Sequence, residues 1–478
     1  MSSVAPQDAT MYWLSKRTAN DLFLLYCFTD SGRPTAELRA LVARRSARIP
    51  DLRVRLREVP GDLEYPSWIP CGFAAEQFME HPLSESNWPT VLNVLGKLLG
   101  TGLDASVRPW RLHVFRDIDG APGAEAGTAV VVVLQMSHAL ADGRSAARIA
   151  RDLFAEPGAI EGDNTGSVSR STPRQRASIG SVLLGSALVD SVLGLARMPF
   201  QVVRTVARGY RAYRAQRELA ELTSTGQLPA PGPDFAPTSI NPSIEVGAAD
   251  HRVRMIVCAA DRLRITDRTV TVVVLTAVSL ALTRYLASRG AQVDRLGAQV
   301  PMALPDREAS APRNNYRNLG VDLFVDEPDL RVRAQRIADA LADRATRARH
   351  PLLAAQDRVT AVVPATLLRR DVDRLPLDTV PDSIAGHTVV SSVHRGAADL
   401  TFGGGRVRFT AGFPALGSVM HLTHGVHGLG EDPDGHGATV TISIHADTAA
   451  LPDIDTYSEL LVAALEEAAA AHADGVVD

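Results

Sequence analysis

The chain has 478 residues, 45% of them hydrophobic and 22% charged, with a formal net charge of −4. That length exceeds one compact core and suggests two domains. The composition is that of a folded globular protein, and the mild negative charge excludes a nucleic-acid binder that works by global charge. Three cysteines, Cys27, Cys71 and Cys258, lie far apart. They offer neither a disulfide framework nor a zinc spacing, in keeping with a reducing compartment.

From Met1 to about Glu156 strand and helix signals alternate. The first apolar run, Leu22 to Phe28, is short, follows Asp21 and lacks a small-residue cleavage pattern, so no signal peptide is expected. "TAVVVVLQM" (Thr128 to Met136) has no polar alternation until its end and predicts a strand buried on both faces. Ala146, Ile149, Ala150, Leu153 and Phe154 then recur at helical spacing, predicting an amphipathic helix stopped by Pro157-Gly158. The loop between them, "SHALADG" (Ser137 to Gly143), carries His138.

Gly158 to about Asp250 differs in composition. A polar loop and the Pro-rich "LPAPGPDFAPTSINP" enclose a helical stretch from Ile179 to about Glu221. Arg204, Arg208 and Arg211 recur there at helical spacing, with no acid between Asp190 and Glu218. Two readings stand: a basic helix resting on an anionic membrane, or a bridging helix whose arginines are simply solvated. No window reaches about 18 clean apolar residues. A cytoplasmic protein, peripheral at an inner membrane surface if the first reading holds, is expected.

In the second half, Val270 to Ala287 is apolar nearly all round and predicts a buried helix. "ATVTISIHAD" (Ala438 to Asp447) alternates strictly and predicts a strand with Val440, Ile442 and Ile444 on one face. A last helix begins near Pro452-Asp453. The simplest organisation is an N-terminal lobe over 1–165, a helical and Pro-rich linker over 166–250, and a C-terminal lobe over 251–478.

A histidine held in a tight loop after a rigid strand is suited to general-base chemistry, given a substrate hydroxyl within reach. Asp142 is better placed to shape the loop, by capping the next helix or pairing with an arginine such as Arg307. Gly143 permits a turn that a larger residue would resist. His421, His424, His427 and His436, with Glu431 and Asp432, raise a metal site, but spacing of three does not keep side chains on one strand face. No metal is expected. "FGGGRVRF" (Phe402 to Phe409) lacks the P-loop lysine and reads as a hairpin. No Gly-x-Ser-x-Gly elbow supports a serine hydrolase.

The loop and several further stretches resemble the wax ester synthase/diacylglycerol acyltransferase family of the chloramphenicol acetyltransferase and condensation-domain superfamily. That family carries His-His-x-x-x-Asp-Gly, where this chain has "SHALADG". "WLSKRTANDLFLLY", Ile49 to Pro70, and "LDASVRPWRLHVF" resemble its opening segment, its early Arg-rich region and its Pro-Leu-Trp segment. "TVVVLTAVSLALTRYLASRG", "AQVPMALPDR", "RNNYRNLGVDLF" and "TVVSSVHRGAADLTFGGGRVRFTAGFP" follow in the family's order.

The resemblance implies an α/β fold of two chloramphenicol-acetyltransferase-like lobes, each a mixed sheet with flanking helices, and an active-site tunnel between them. It implies that His138 takes the proton of an acceptor hydroxyl, which attacks the thioester of an acyl-CoA directly, with no acyl-enzyme and no cofactor beyond that co-substrate. The acceptor would be a long-chain alcohol or diacylglycerol, and the setting a membrane or lipid-droplet surface. Asp142 and Gly143 would be structural. Ser137, Thr271, Asn314, Asn315, Ser391 and Ser392 would lie on the substrate side. Three positions depart from the pattern: Ser137 replaces the first histidine, Thr271-Val272 the family's Asn-Asp, and Ser392 the asparagine of Ser-Asn-Val. Such departures suit a different acceptor or weakened activity. Alternative readings are an acyltransferase of specialised metabolism that uses a carrier-bound donor, and a non-catalytic acyl-CoA or lipid-binding homologue.

Overall fold

The computed structural model describes residues 2–123, 127–155, 212–245, 247–265, 268–305, 312–432 and 437–473. Two six-stranded mixed sheets dominate it, with a small sheet of Ser2–Ser3, Ser67–Pro70 and Val54–Arg57 at the side. The first runs Thr401–Phe402, Gly405–Phe413, Leu22–Thr29, Ala129–Met136, Trp110–Ile118, Phe78–Glu80. The second runs Tyr316–Asp322, Gly297–Ala303, Thr388–His394, Leu422–Leu429, Thr439–Asp447, His251–Ala259. Thr388–His394 is parallel to both of its neighbours; the other pairs of this sheet are antiparallel.

Every residue of Ala129–Met136 is buried, because helices cover both faces of the first sheet. Tyr26, Phe28, Val130, Val132 and Leu134 pack with Pro6–Ser15, Thr35–Ser46 and Gly143–Phe154. Leu25, Cys27, Val131 and Val133 pack with Trp88–Leu99 and with Val253 of the second sheet. Gly143–Phe154 buries the stripe its sequence predicts, Ala146, Ile149, Ala150, Leu153 and Phe154.

The second sheet buries Val390, Val426, Ile442 and Ile444 under Val270–Ser288, Leu330–Ala348 and Ile454–Ala473. Among the described residues Val270–Ser288 is the one helix long and apolar enough to cross a membrane. Here its apolar surface is spent on the core, with Val272 to Ala277 buried without a break.

The two sheets are stitched together by the chain itself. Gly405–Phe413, from the second half of the sequence, pairs antiparallel with Leu22–Thr29, setting Thr410 opposite Tyr26 and Gly412 opposite Leu24. The glycine run before it makes the predicted hairpin, with Gly403 (φ 62°) and Gly404 (φ 95°) in the left-handed region its tight turn requires. Where the sheets meet, a side chain on Gly425 would put its first carbon 2.2 Å from the Gly412 carbonyl oxygen. Only glycine permits that approach.

Candidate active site

His138 lies in the turn that joins strand Ala129–Met136 to helix Gly143–Phe154. The Ser137 amide bonds to the Pro109 carbonyl at 2.8 Å and the Leu140 amide to the Ser137 carbonyl at 2.8 Å, which fixes the turn. Ser137 is wholly enclosed, its hydroxyl accepting from the Ala139 amide at 3.4 Å. It therefore belongs to the loop's interior rather than its open side. Asp142 is the N-cap of the helix and accepts from the Ser145 amide at 2.8 Å. Gly143 is not in the left-handed region. A side chain there would meet only a Val393 methyl at 3.9 Å, so the turn does not depend on glycine as its sequence suggested.

A loop of the second half clasps this turn. Asn314 Nδ2 donates to the His138 carbonyl at 2.6 Å and to Asp8 Oδ1 at 3.0 Å. Asp8, buried on helix Pro6–Ser15, also accepts from the amides of Arg313 (2.9 Å) and Asn314 (2.8 Å). The Asn315 amide donates to Asp142 Oδ2 at 3.2 Å, and the Asp142 amide to the Arg313 carbonyl at 3.3 Å. Arg313 itself donates to Asp51 at 2.6 Å and to the Leu140 carbonyl at 3.0 Å. Its guanidinium also stacks 4.9 Å from the Trp68 ring centroid. Three separated stretches thus hold one loop.

The His138 ring keeps its Nδ1 enclosed without a hydrogen-bond partner, while the residue as a whole retains partial exposure. Burial lowers its pKa from 6.5, against the opposing pull of the Asn314 amide and the Asp142 and Asp8 carboxylates. The imidazole is therefore unprotonated at neutral pH, the form a base requires. The Tyr316 ring stands 6.0 Å away.

The facing wall is strand Thr388–His394. Its side chains alternate: Val390 enters the helix-covered core, and Ser391 and Val393 turn to the other face, where Val393 meets Gly143. Arg151, two turns along the helix, donates to the carbonyls of Arg395 (3.4 Å) and Ala397 (3.0 Å). Helix and strand therefore run side by side in the same sense. Ser391 then lies beyond the helix N-terminus, on the His138 side. Ser392 points the other way, where its hydroxyl accepts from Thr271 Oγ1 at 2.9 Å. The two substituted motif positions are joined to each other, on the face of the sheet opposite Ser391.

His424 and His427 occupy opposite faces of Leu422–Leu429. His424 bonds to Thr388 Oγ1 (3.0 Å) and the Tyr457 hydroxyl (2.9 Å) inside the helix layer, and His427 lies against Gly412. Arg307, His436 and residues 156–211, with most of the Arg-rich stretch, lie outside the described residues. Two surface clefts, one lined by Arg317, Arg344 and Arg347 and one by Asp62, Arg369 and Arg370, do not include His138. Asp8, Asp51, Arg313 and Tyr316 escape sequence reasoning. Asp8 carries no local signal, since its partners are three hundred residues away. Arg313 and Tyr316 flank the Asn314-Asn315 pair and were within reach.

Residues 4–254 match the wax ester synthase/diacylglycerol acyltransferase catalytic domain. No curated protein sequence matches the chain directly. Its fold is similar to that of the wax ester synthase/diacylglycerol acyltransferase from Marinobacter aquaeolei VT8, at 16% identity and a TM-score of 0.60, over 98% of each chain. It is also similar to a starter condensation domain of rhizomide synthetase solved as a mutant in complex with C8-CoA. That match has 12% identity and a TM-score of 0.54, over 98% of this chain and 94% of that one.

Proposed function

The chain belongs to the wax ester synthase/diacylglycerol acyltransferase family of acyltransferases, and from that premise we propose that it transfers a fatty acyl group from acyl-CoA to a lipid-like alcohol, with His138 as general base. The acceptor would be a long-chain alcohol or a diacylglycerol. The observation that carries the reading is the placement of His138, its ring enclosed on one side and its loop held by both halves of the chain just ahead of helix Gly143–Phe154.

The hydroxyl oxygen attacks the thioester carbonyl carbon as its proton passes to His138. The carbonyl electrons move onto oxygen, then return as the carbon–sulfur bond breaks, and the thiolate takes the proton back from the imidazolium. A positioned base supplies about 10²–10⁴-fold, so alignment and oxyanion stabilisation must supply much of the rest. Ser391, beyond the helix N-terminus on the facing wall, is the hydroxyl we assign to the oxyanion. Ser391→Ala should lower kcat by about 10²-fold with little change in the KM for acyl-CoA. An unchanged kcat in steady-state assays removes that role.

Purified protein with labelled acyl-CoA and a panel of alcohols tests the main reading. Tight acyl-CoA binding with no transfer to any acceptor would replace it by a binding role. The condensation-domain likeness favours one second reading, an acyltransferase of specialised metabolism. A preference for carrier-bound over CoA-bound acyl groups in the same assay selects it.

Membrane or lipid-droplet association rests on the arginines of the 179–221 stretch, and on the insolubility of such acceptors. Flotation with anionic vesicles should show binding that weakens with salt, and no binding at low salt discards it.

A further inference from the structure

Side chains of the edge strand Tyr316–Asp322 alternate between its two faces. Tyr316 turns its ring to His138, whereas Arg317 and Leu319 face helix Leu330–Ala348. On that side the strand borders a cleft of about 300 Å³. Arg344 and Arg347, one turn apart on the helix, form a second wall, and Leu353 and Asp357, one turn apart on Pro351–Thr360, a third. The chain at 229–232 closes the rim. Arg344 donates to the Ala230 carbonyl and Arg347 to the Pro229 carbonyl at 2.8 Å. Gly232 comes so near the strand that a first side-chain carbon there would lie 2.8 Å from the Gly320 carbonyl oxygen.

Three guanidinium groups line this cleft, and one carboxylate does. Arg317 engages it, donating to Asp357 and, through its other terminal nitrogen, to the Ala348 carbonyl at 2.9 Å. Arg344 and Arg347 are left with neutral acceptors, the two rim carbonyls and the Thr223 hydroxyl at 2.9 Å. Each bonds through one terminal nitrogen; among the described residues the other has no protein acceptor, and Arg344 Nε is buried with none. Burial disfavours the charge on Arg344; its exposed neighbour Asp343 favours it without an ion pair, and Arg347 disfavours it again. A guanidinium does not shed its proton at any working pH, so two like charges held together at a half-buried wall attract an anion.

The unmet donors select which anion. A phosphomonoester carries about −1.5 to −2 charge at pH 7 and three strong acceptor oxygens, enough for two guanidinium forks at once. Pro231, Leu319 and Leu353 supply apolar wall for the body to which the phosphate is attached. We propose that this cleft binds a phosphomonoester borne on a larger, partly apolar molecule, gripped by Arg344 and Arg347 and separated from His138 by the edge strand. The terminal phosphate of a lipid headgroup and the phosphomonoester of CoA present this same chemistry, and the test separates them.

Isothermal titration compares short-chain phosphatidate with short-chain phosphatidylglycerol, a phosphodiester, and CoA with dephospho-CoA. The native protein should bind the monoester of at least one pair more tightly, and Arg344→Gln and Arg347→Gln should each weaken that binding by about 10-fold or more. Arginine dependence confined to phosphatidate supports the site with a lipid headgroup as its ligand; dependence confined to the CoA pair supports it with the CoA phosphate. Phosphatidylglycerol bound as tightly as phosphatidate, with no preference for CoA over dephospho-CoA, overturns the choice of a monoester. Asp357→Asn is a second variant that keeps the test open if the arginine variants do not fold. Removing the competing carboxylate should tighten binding several-fold, which the loss of a purely structural contact would not do. No dependence on either arginine together with no tightening in Asp357→Asn overturns the site, even if alcohols are acylated. His138→Ala should retain the phosphate preference of the native protein. A protein that shows this preference and acylates no acceptor keeps the cleft's ligand and loses the acyltransferase mechanism.

Discussion

Replacing His138 with alanine is expected to lower kcat by about 10²–10⁴-fold while the KM for acyl-CoA stays within a few-fold. The ring touches the reacting hydroxyl in the proposed mechanism, and the loop that carries it is fixed through backbone atoms. The Asn314 side chain holds the His138 carbonyl, a contact alanine retains. Circular dichroism and acyl-CoA binding should therefore stay native, and steady-state kinetics on the alcohol panel read the loss. Transfer at the native rate would remove His138 from the mechanism.

The pH profile gives a second handle on the same residue. Burial holds the His138 pKa below 6.5, so the base persists as pH falls past 6.5, and kcat/KM should decline only at lower pH. An ordinary exposed histidine would put the limb at about 6.5. Unfolding must be followed across the same window. His113, His424 and His445 are held down to about 4, 3 and 3 by burial. Groups with depressed folded values bind protons more readily when unfolded, so stability falls as pH drops from 6.5 towards those values. A limb that coincides with loss of structure reports these histidines instead of His138.

Much of the first sheet is legible locally. Ala129–Met136 is an unbroken apolar run, and Gly143–Phe154 has a clean helical stripe, so the loop between them is placed by its neighbours alone. Val270–Ser288 is legible for the same reason. What lies beyond the sequence is pairing at long range. Nothing in "GRVRFTAGF" says that it leaves its own half to join Leu22–Thr29, because its alternation is satisfied by any partner sheet. The small residues at Gly412 and Gly425 acquire meaning only once two sheets touch there.

The site was legible as motif positions and illegible as geometry. Asn314 and Asn315 are named by likeness to a family loop, yet what they grip, Asp8 and Asp142, follows from the fold. Ser137 occupies a motif position and continues the alternation of its strand into the interior, so the missing first histidine changes the loop's inside. Thr271 and Ser392 are separate departures from the family pattern in sequence. In space one hydroxyl bonds the other at 2.9 Å, which supplies a physical reason for both substitutions to occur in one chain.

Asp8 gives the other large expectation. Asp8→Ala should lower stability by about 3–5 kcal/mol and reduce kcat, although Asp8 meets no substrate. Its carboxylate accepts from two backbone amides and the Asn314 side chain. Truncation takes that acceptor away from the Arg313 and Asn314 amides and leaves Asn314 Nδ2 with the His138 carbonyl. The gain from removing a buried carboxylate is a partial offset, since burial raises the Asp8 pKa in spite of the three hydrogen bonds. Asp8→Asn separates the terms: its amide oxygen still accepts, the charge is gone, and the loss should be about half. Because Asn314 Nδ2 bridges Asp8 and the His138 carbonyl, slackening one end frees the other. The decline in kcat should therefore track the loss of stability from native through Asn to Ala, with the KM for acyl-CoA moving less. Urea midpoints with an unchanged m-value and parallel kinetics check this. Equal stability of the three proteins would show that Arg313 and Trp68 hold the clasp without Asp8.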